Sequence, residues 1–208
     1  MRWRPMSTSP GDGRSRTRAC VLVFALTVIG AATASCAPHR VVLSRQAPAT
    51  FPSEPPGHET GEVTRVVDGD TIEVRVTGRA DGPGAGEARI GSSYPVRLIG
   101  IDTPESVKPN SPVECFGRES SAAAKALLQG NIVRLVKDVE ESDRYDRLLR
   151  YVYLGHELAN ARLVINGYAA AYTYPPNVRH TDLFVELQRQ AREAELGLWA
   201  AATCNGEP

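Results

Sequence analysis

The sequence is short of several features that define whole classes of protein. Its 208 residues include only four cysteines, which excludes a disulfide-dense mini-protein. The 24 lysines and arginines are balanced by 24 aspartates and glutamates, which argues against a polybasic protein that holds nucleic acid by bulk charge. Only residues 19–38 lack charges for long enough to concern a membrane, which excludes a polytopic membrane protein. Histidines and cysteines do not group at zinc spacing, which argues against a zinc site.

The composition that remains is ordinary, with 42% hydrophobic and 23% charged residues. At this length one domain with appendages is expected. The zero net charge is a sum of unequal parts, because residues 1–36 carry five arginines and one aspartate, a net charge of +4 that leaves −4 for the rest. We therefore expect a basic leader followed by a mildly acidic body.

Residues 1–36 have the pattern of an export signal, in which an arginine-rich segment precedes an apolar run that ends in small residues. Residues 32–34 form an A-x-A cleavage site, whereas residues 34–36 resemble the end of a lipobox that would leave Cys36 lipidated. An uncleaved anchor is a third alternative. We predict an exported protein, either a lipoprotein anchored to the cell membrane or a secreted form, with no other membrane contact.

Residues 37–60 are rich in proline, serine, threonine and alanine and include five prolines. Such a segment buries little apolar area, so it predicts a semi-extended, flexible linker. The folded domain is then predicted over residues 61–204, with regular patterning from Glu62 onward.

The pattern of apolar residues in this domain predicts short strands and amphipathic helices. Ile72, Val74 and Val76 share one face of a strand, and Leu183, Leu187, Ala191 and Ala194 form one stripe of a helix. Strands are predicted over 63–67, 71–76, 95–101, 132–136 and 148–154, and helices over 119–129, 157–166 and 181–196. The glycine-rich segment 78–91 predicts a loose hairpin loop. Without a βαβ rhythm, the order predicts an α+β, mainly β fold, a five-stranded barrel with three packed helices as in an OB-fold.

Three polar clusters lie where predicted strands end. They are D-G-D-T at 68–71, R-L-I-G-I-D-T-P-E at 97–105 and D-R-Y-D-R at 143–147. Each alone is typical of a solvated turn, but their conjunction in one domain indicates a site. Asp70 and Asp102, with the carbonyl of Thr103 turned by the following proline, offer the hard oxygen ligands that Ca²⁺ prefers.

Two arginines and a third carboxylate accompany this predicted cation site. Arg97 and Arg147 are suited to bidentate contact with phosphate. Glu105 lies just beyond the metal pair and could polarise a water molecule. A hard cation, two arginines and a carboxylate together suit in-line hydrolysis of a phosphodiester.

With these motifs the sequence resembles the thermonuclease, or staphylococcal-nuclease-like, family over residues 62–199. The resemblance is carried, in order, by V-V-D-G-D-T, V-R-L-I-G-I-D-T-P-E, C-F-G-R-E, D-R-Y-D-R-L-L-R-Y-V-Y, N-A-R-L-V-I-N-G-Y-A and A-E-L-G-L-W. It implies an OB-fold barrel with three helices and Ca²⁺-dependent cleavage of DNA and RNA to 3′-phosphate ends.

The resemblance also implies roles for single residues. The matched calcium ligands are Asp70, Asp102 and the carbonyl of Thr103, the phosphate-binding arginines are Arg97 and Arg147, and the carboxylate usually assigned as general base is Glu105. Tyr172 and Tyr174 match tyrosines that line the nucleotide pocket, where their rings could stack on bases. Half-buried packing is the alternative for both. Lys108, in the loop after the general base, is a further predicted substrate-binding residue.

Two departures from the family pattern affect the predicted site. Asp146 stands where the family commonly has glycine, so its carboxylate could pair with a neighbouring arginine or alter the turn. The segment 78–91 is longer than usual and could change access to the cleft.

Cys115 and Cys204 are the two cysteines outside the leader. In an exported protein a disulfide between them is the simplest interpretation, and two unpaired buried thiols are the alternative. Such a bond would tie the loop near the site to the C-terminal tail.

The sequence therefore predicts an exported, monomeric, calcium-dependent endonuclease that acts on DNA and RNA with little sequence preference. Two other classes stay open: a nucleic-acid-binding module on the same barrel that has lost catalysis, and a surface lipoprotein that serves attachment.

Overall fold

The computed structural model describes residues 43, 45, 54–106 and 113–207. The predicted export signal with Cys36, most of the predicted linker and Lys108 lie outside these residues. Within the described ranges, no helix is both long and apolar enough to cross a membrane.

The described chain forms eight strands, three α-helices and one 3₁₀ turn. In chain order they are β1 (His58–Asp68), β2 (Thr71–Ala80), β3 (Ser93–Leu98), β4 (Ile101–Asp102), α1 (Gly117–Leu128), β5 (Ile132–Val136), β6 (Leu148–Leu154), β7 (Glu157–Leu158), α2 (Ala159–Ile165), β8 (Ala170–Ala171), α3 (Thr181–Glu193) and the 3₁₀ turn Gly197–Trp199.

Five of these strands close into a mixed barrel. β1 pairs antiparallel with β2 and β5, β2 pairs antiparallel with β3, and β5 pairs antiparallel with β6. The parallel pairing of β3 with β6 closes the ring, so that no barrel edge is left open. The predicted five-stranded barrel with three helices is confirmed. The predicted inner face of β2 also agrees with the structure, since Ile72, Val74 and Val76 are fully buried.

The first strand begins earlier than the sequence predicts. β1 starts at His58, ahead of both the predicted strand at 63 and the predicted domain start at 61. The alternation of apolar residues does not reveal this early start, because the buried position 59 is a glutamate, which forms an ion pair with Arg150. Gly61 has no side chain to place between the strands, and a Cβ added there would lie 2.3 Å from the side chain of Val74.

The segment predicted as a flexible linker contacts the domain. The N–H of Arg45 donates to Oδ1 of Asn166 at 2.9 Å, and Nδ2 of Asn166 donates to the carbonyl of Arg45 at 2.7 Å. Leu43 packs against the hydrophobic core. At these two residues the segment is held against the domain by the backbone of Arg45 and the side chain of Leu43, while a flexible linker over residues 37–60 stays a prediction.

The glycine-rich segment after β2 is not the loose loop that the sequence predicts. β2 continues to Ala80, and the chain that follows is fixed by hydrogen bonds from Gly84 N–H to the Pro56 carbonyl and from Lys137 N–H to the Gly84 carbonyl, at 2.9 and 2.8 Å. A Cβ added at Gly86 would lie 1.8 Å from Nη2 of Arg150. The glycine therefore allows the backbone to pass directly over a buried side chain, an ordered arrangement that composition alone does not reveal.

Two further element boundaries and the buried face of α3 also differ from the prediction. The predicted strand 95–101 is broken at Gly100, whose φ of 82° lies in the left-handed region, so β3 and β4 are separate. Residues 157–158 pair with β6 as β7 instead of opening the second helix. α3 buries Leu187 and Ala191 as predicted, with Leu183 and Ala194 half-buried. It also buries Phe184, which the predicted stripe did not include and which fills the space above Gly100.

Candidate active site

Strand register brings the three predicted polar clusters together. Thr71 of β2 lies opposite Arg97 of β3, and Arg97 lies opposite Leu149 of β6. The hairpin at Asp70 and the turn before β6 therefore flank the same strand. The N–H of Leu98 donates to the carbonyl of Asp70 at 2.9 Å, which fixes this hairpin against β3.

Asp70 is a buried carboxylate with a full set of partners. Its Oδ1 accepts a hydrogen bond from the Thr71 hydroxyl at 2.9 Å. Its Oδ2 accepts from the N–H of Thr103 at 3.1 Å and lies 2.8 Å from Nη1 of Arg97. These contacts hold the carboxylate in one orientation and connect it to the turn that follows β4.

Arg97 bridges the two predicted cation ligands. Its Nη2 lies 2.7 Å from Oδ1 of Asp102, whose side chain is 54% exposed, while Nη1 contacts the buried Asp70. Burial raises the pKa of the Asp102 carboxyl, and the negative charges of Asp70 and Glu114 add to this, while Arg97 opposes it. The site therefore concentrates negative charge beyond what a single guanidinium neutralises.

The donor set at this point fits a hard cation. Among the described residues, no group of three or more histidine, cysteine, aspartate and glutamate side chains could hold a metal ion. Asp70 and Asp102 instead supply two carboxylates to one location, and the N–H of Thr103 donates to the first of them. Carboxylate and carbonyl oxygens, completed by water, are the ligands of Ca²⁺.

Arg147 is oriented by the turn that precedes it. Asp143 accepts from Nε of Arg147 at 2.8 Å and lies 2.7 Å from its Nη2. Burial favours the neutral Asp143 carboxyl, but hydrogen bonds from Arg147 and from the Tyr145 N–H outweigh it and lower the pKa of Asp143. The carboxylate therefore stays charged and holds the guanidinium beside β2.

Thr71 links the two halves of the site. Its hydroxyl donates to Asp70 at 2.9 Å and accepts from Nη1 of Arg147 at 3.3 Å. The sequence offered a signal for this role, since Thr71 completes the D-G-D-T motif. The motif alone does not predict the contact with Arg147, which lies 76 residues further along the chain.

The turn around Asp146 has an aspartate at a position with a left-handed backbone conformation. Asp146 has a φ of 61°, in the left-handed region where glycine is free of strain and aspartate is tolerated. Its N–H donates to the Asp143 carbonyl at 3.1 Å. Within the part of the chain that the structure describes, its carboxylate forms no ion pair, since Asp143 occupies Arg147.

A cleft of about 500 Å³ opens beside these groups. Its lining includes Arg97, Asp102, Asp143, Arg147, Tyr172 and Tyr174. Tyr172 and Tyr174 are 50% and 61% exposed, so both side chains can be reached from solvent. Tyr145, a lining residue that sequence reasoning missed, is 63% exposed and has the guanidinium of Arg144 4.8 Å from its ring centre. An aromatic residue between two arginines in a turn was the available signal.

The predicted general base lies in a segment held from two sides. The N–H of Glu105 donates to Oε2 of Glu114 at 2.8 Å, and the hydroxyl of Ser106 donates to Asp68 at 2.6 Å. Asp68 is buried at the end of β1. The chain from Thr103 to Ser106 is thus fixed to the hairpin that carries Asp70.

The predicted disulfide is present. Cys115 and Cys204 are bonded, with their Cα atoms 5.9 Å apart.

Comparison with known proteins identifies the family. The family described as staphylococcal nuclease homologue matches residues 95–201, about half of the chain. The chain belongs to this family. A thermonuclease of Staphylococcus hyicus is 39% identical over 142 residues, which cover 68% of this chain and 76% of that protein. A thermonuclease of Staphylococcus intermedius is 42% identical over 137 residues, 66% of this chain and 74% of that protein. The endonuclease YncB of Bacillus subtilis (strain 168) is 34% identical over 138 residues, 65% of this chain and 59% of that protein.

The family resemblance inferred from the motifs is therefore confirmed. In this staphylococcal nuclease homologue, Arg97, Arg147 and Asp102 line one cleft together with exposed tyrosines, and the buried Asp70 lies behind Arg97. Such a surface can bind a phosphate through the arginines and a base through an aromatic ring.

Proposed function

We propose that this protein is an exported, calcium-dependent endonuclease that hydrolyses phosphodiester bonds of DNA and RNA to 3′-phosphate ends with little sequence specificity. The observation that carries the proposal is the convergence of Arg97 and Arg147 on one cleft beside Asp70 and Asp102. The related thermonucleases and endonuclease support the reaction class.

The carboxylates of Asp70 and Asp102, with the carbonyl of Thr103, would hold Ca²⁺. When bound, Ca²⁺ supplies Lewis-acid stabilisation of charge on a phosphate oxygen. The chain's own contribution is the orientation of these ligands, since the Thr71 hydroxyl, the Thr103 N–H and Arg97 fix the Asp70 carboxylate.

The two arginines bind the non-bridging oxygens of the scissile phosphate and stabilise the negative charge that develops there. Arg97 lies between two carboxylates, so it reaches a phosphate by exchanging one ionic partner for another. Glu105 takes a proton from the attacking water. The water oxygen bonds to phosphorus as the bond from phosphorus to the 5′ oxygen breaks, and the 5′ oxygen takes a proton from solvent, which leaves a 3′-phosphate and a 5′-hydroxyl.

The tyrosines account for broad substrate use. Every base has a π face, so stacking on Tyr172 and Tyr174 does not depend on sequence. We assign Lys108 to an additional phosphate contact. No base-specific set of hydrogen-bond donors is required by this arrangement.

Export and a monomeric state are also part of the proposal. The basic leader and apolar run favour export, and the disulfide is consistent with an oxidising compartment. Lipidation of Cys36 would anchor the protein to the membrane, and cleavage at residues 32–34 would release it.

Degradation of plasmid DNA and of RNA, with Ca²⁺ and with chelator, tests this function. We expect cleavage by the wild type with Ca²⁺, none with chelator, and a strong reduction for Glu105→Gln. Equal activity in chelator would contradict the metal dependence. Binding without cleavage in Ca²⁺ would instead support a catalytically inactive nucleic-acid-binding module.

A further inference from the structure

Glu114 bonds to both main-chain polar groups of Glu105. Its carboxylate accepts the N–H of Glu105 at 2.8 Å, and its own N–H donates to the carbonyl of Glu105 at 2.9 Å. Both bonds span nine residues of chain, so they fix the position of Glu105 from outside its own turn. A charged acceptor makes the first bond stronger than a neutral one.

The segment that carries Glu114 packs closely on the same backbone. The N–H of Gly117 donates to the carbonyl of Glu114 at 3.0 Å. A Cβ added at Gly117 would lie 2.6 Å from the carbonyl oxygen of Glu105, so only glycine allows this approach. The ring of Phe116 stacks on Tyr168 with centroids 5.6 Å apart, which ties the segment to the core.

The disulfide anchors this segment at its centre. Cys115 directly follows Glu114 and is bonded to Cys204, 89 residues further along. Cys204 is buried in a small cluster with Ala191, Leu198 and Trp199. The position of Glu114 thus depends on a covalent link to the packed C-terminal part of the chain.

We propose that Glu114, anchored by the disulfide Cys115–Cys204, is a positioning residue for Glu105. The inference rests on the proposed function, because it assumes that Glu105 assists the attacking water. A displacement of about 1 Å in a catalytic group can lower the rate by about 10²-fold. Loss of either the Glu114 acceptor or the disulfide should therefore lower kcat and leave KM nearly unchanged.

Kinetics of matched variants test the proposal. We expect kcat to fall about 10- to 100-fold in Glu114→Ala, at saturating Ca²⁺ and substrate. Glu114→Gln keeps an acceptor oxygen and should retain most of the activity, although it removes the negative charge near Asp102. Glu62→Ala, which removes an exposed glutamate from β1, is the control and should match the wild type. An equal loss in Glu114→Gln and Glu114→Ala would overturn the positioning role, because charge alone would then explain it.

A double-mutant cycle separates positioning from a general effect on the fold. If Glu114 acts through Glu105, Glu114→Ala should add nothing in a Glu105→Gln background. The double variant Cys115→Ser with Cys204→Ser should likewise add nothing in a Glu105→Gln background. Additive losses in both cycles would overturn the proposal. Glu114→Met, which keeps the side-chain length without an acceptor, replaces Glu114→Ala if the latter does not fold.

Amide hydrogen exchange provides a readout that does not need activity. The Glu105 amide should be protected in the wild type and in Glu114→Gln, and exchange about 10-fold or more faster in Glu114→Ala and in the double serine variant. Unchanged protection of the Glu105 amide in these two variants would overturn the positioning role of Glu114, whatever the nuclease activity. An inactive wild type with the expected exchange pattern would instead contradict only the proposed function.

Discussion

Two arginines on neighbouring strands hold carboxylates in opposite settings. Arg150 of β6 contacts Glu59 and Glu141 with no exposed surface of its own. Arg97 of β3 contacts Asp70 and Asp102, and the latter side chain is 54% exposed. Arg150 and Glu59 are fully buried under the chain at Gly86, whereas Arg97 and Asp102 line the cleft.

The difference shows that arginine–carboxylate clusters can serve the fold where they are buried and ligand binding where they reach a cleft. A buried ion pair is weak support for stability overall, but removal of one partner leaves an uncompensated charge in the interior. An ion pair beside a cleft is partly solvated, so it can exchange one partner for an anionic ligand at small cost. We therefore expect Arg150 to act on folding and Arg97 on catalysis.

The largest effect should follow from Arg150→Ala. Removal of the guanidinium leaves Glu59 buried without its partner, and we expect the free energy of unfolding to fall by about 3–5 kcal/mol. Urea denaturation followed by circular dichroism measures this loss. Arg97→Ala is the matched comparison and should lose less, because Asp102 is exposed and the buried Asp70 keeps its hydrogen bonds from the Thr71 hydroxyl and the Thr103 N–H. Similar losses in both variants would contradict the distinction between the two clusters.

Arg147→Ala should have the opposite effect to Arg150→Ala, with a large loss of activity and little loss of stability. If Arg147 stabilises the developing charge as proposed, kcat should fall on the order of 10²–10³-fold. The free energy of unfolding should change by less than about 1 kcal/mol, because its ion pair with Asp143 is partly exposed. Arg144→Ala, in the same turn, is the control for charge alone. An equal loss of kcat in that variant would indicate that the total positive charge of the turn, and not a specific contact of Arg147, determines the rate.

Tyr145→Ala should weaken substrate binding and leave the fold intact. Loss of one stacking ring costs about 1–3 kcal/mol per base, which would appear as a higher KM for single-stranded substrate. Tyr145→Phe keeps the ring and should behave as the wild type. If the phenylalanine variant is also impaired, the hydroxyl and not the ring face makes the contact.

The smallest effect is expected for Asp146→Gly. Glycine adopts the φ of 61° without strain, which stabilises the folded state, but it also loses more conformational entropy on folding. Because the relief of strain is the larger of the two effects, we expect a net gain in stability of about 0.5 kcal/mol. Thermal unfolding at matched pH measures it, and Asp146→Ala should lose stability. A gain in the alanine variant would contradict the strain at this position.

Much of the fold and the candidate site could be predicted from the sequence, because the relevant patterns are local. Alternation identified the buried face of β2, and the D-G-D-T and I-D-T-P-E motifs marked turns at strand ends. Asp70, Arg97 and Asp102 then meet through strand pairing. The barrel itself required only the number and order of the strands.

The remainder depends on contacts between distant residues. Glu59 is interpreted as exposed until its partner on another strand is known, so the start of β1 was placed too late. Gly86 resembles loop composition, although it is needed for passage over Arg150. Phe184 belongs to the buried face of α3 because Gly100 leaves room for its ring. Thr71 acquires its role only once Asp70 and Arg147 lie on either side of it.

The bond between Cys115 and Cys204 also changes how the end of the chain must be treated in practice. The residues after α3 look dispensable by their distance in sequence from the cleft, and a shortened or tagged C-terminus would be an ordinary choice for expression. Here a stop codon before residue 204 removes the anchor of the segment that contacts Glu105. Trimming the tail would therefore alter the candidate site, and expression in a reducing cytoplasm would leave the same bond unformed in the full-length chain.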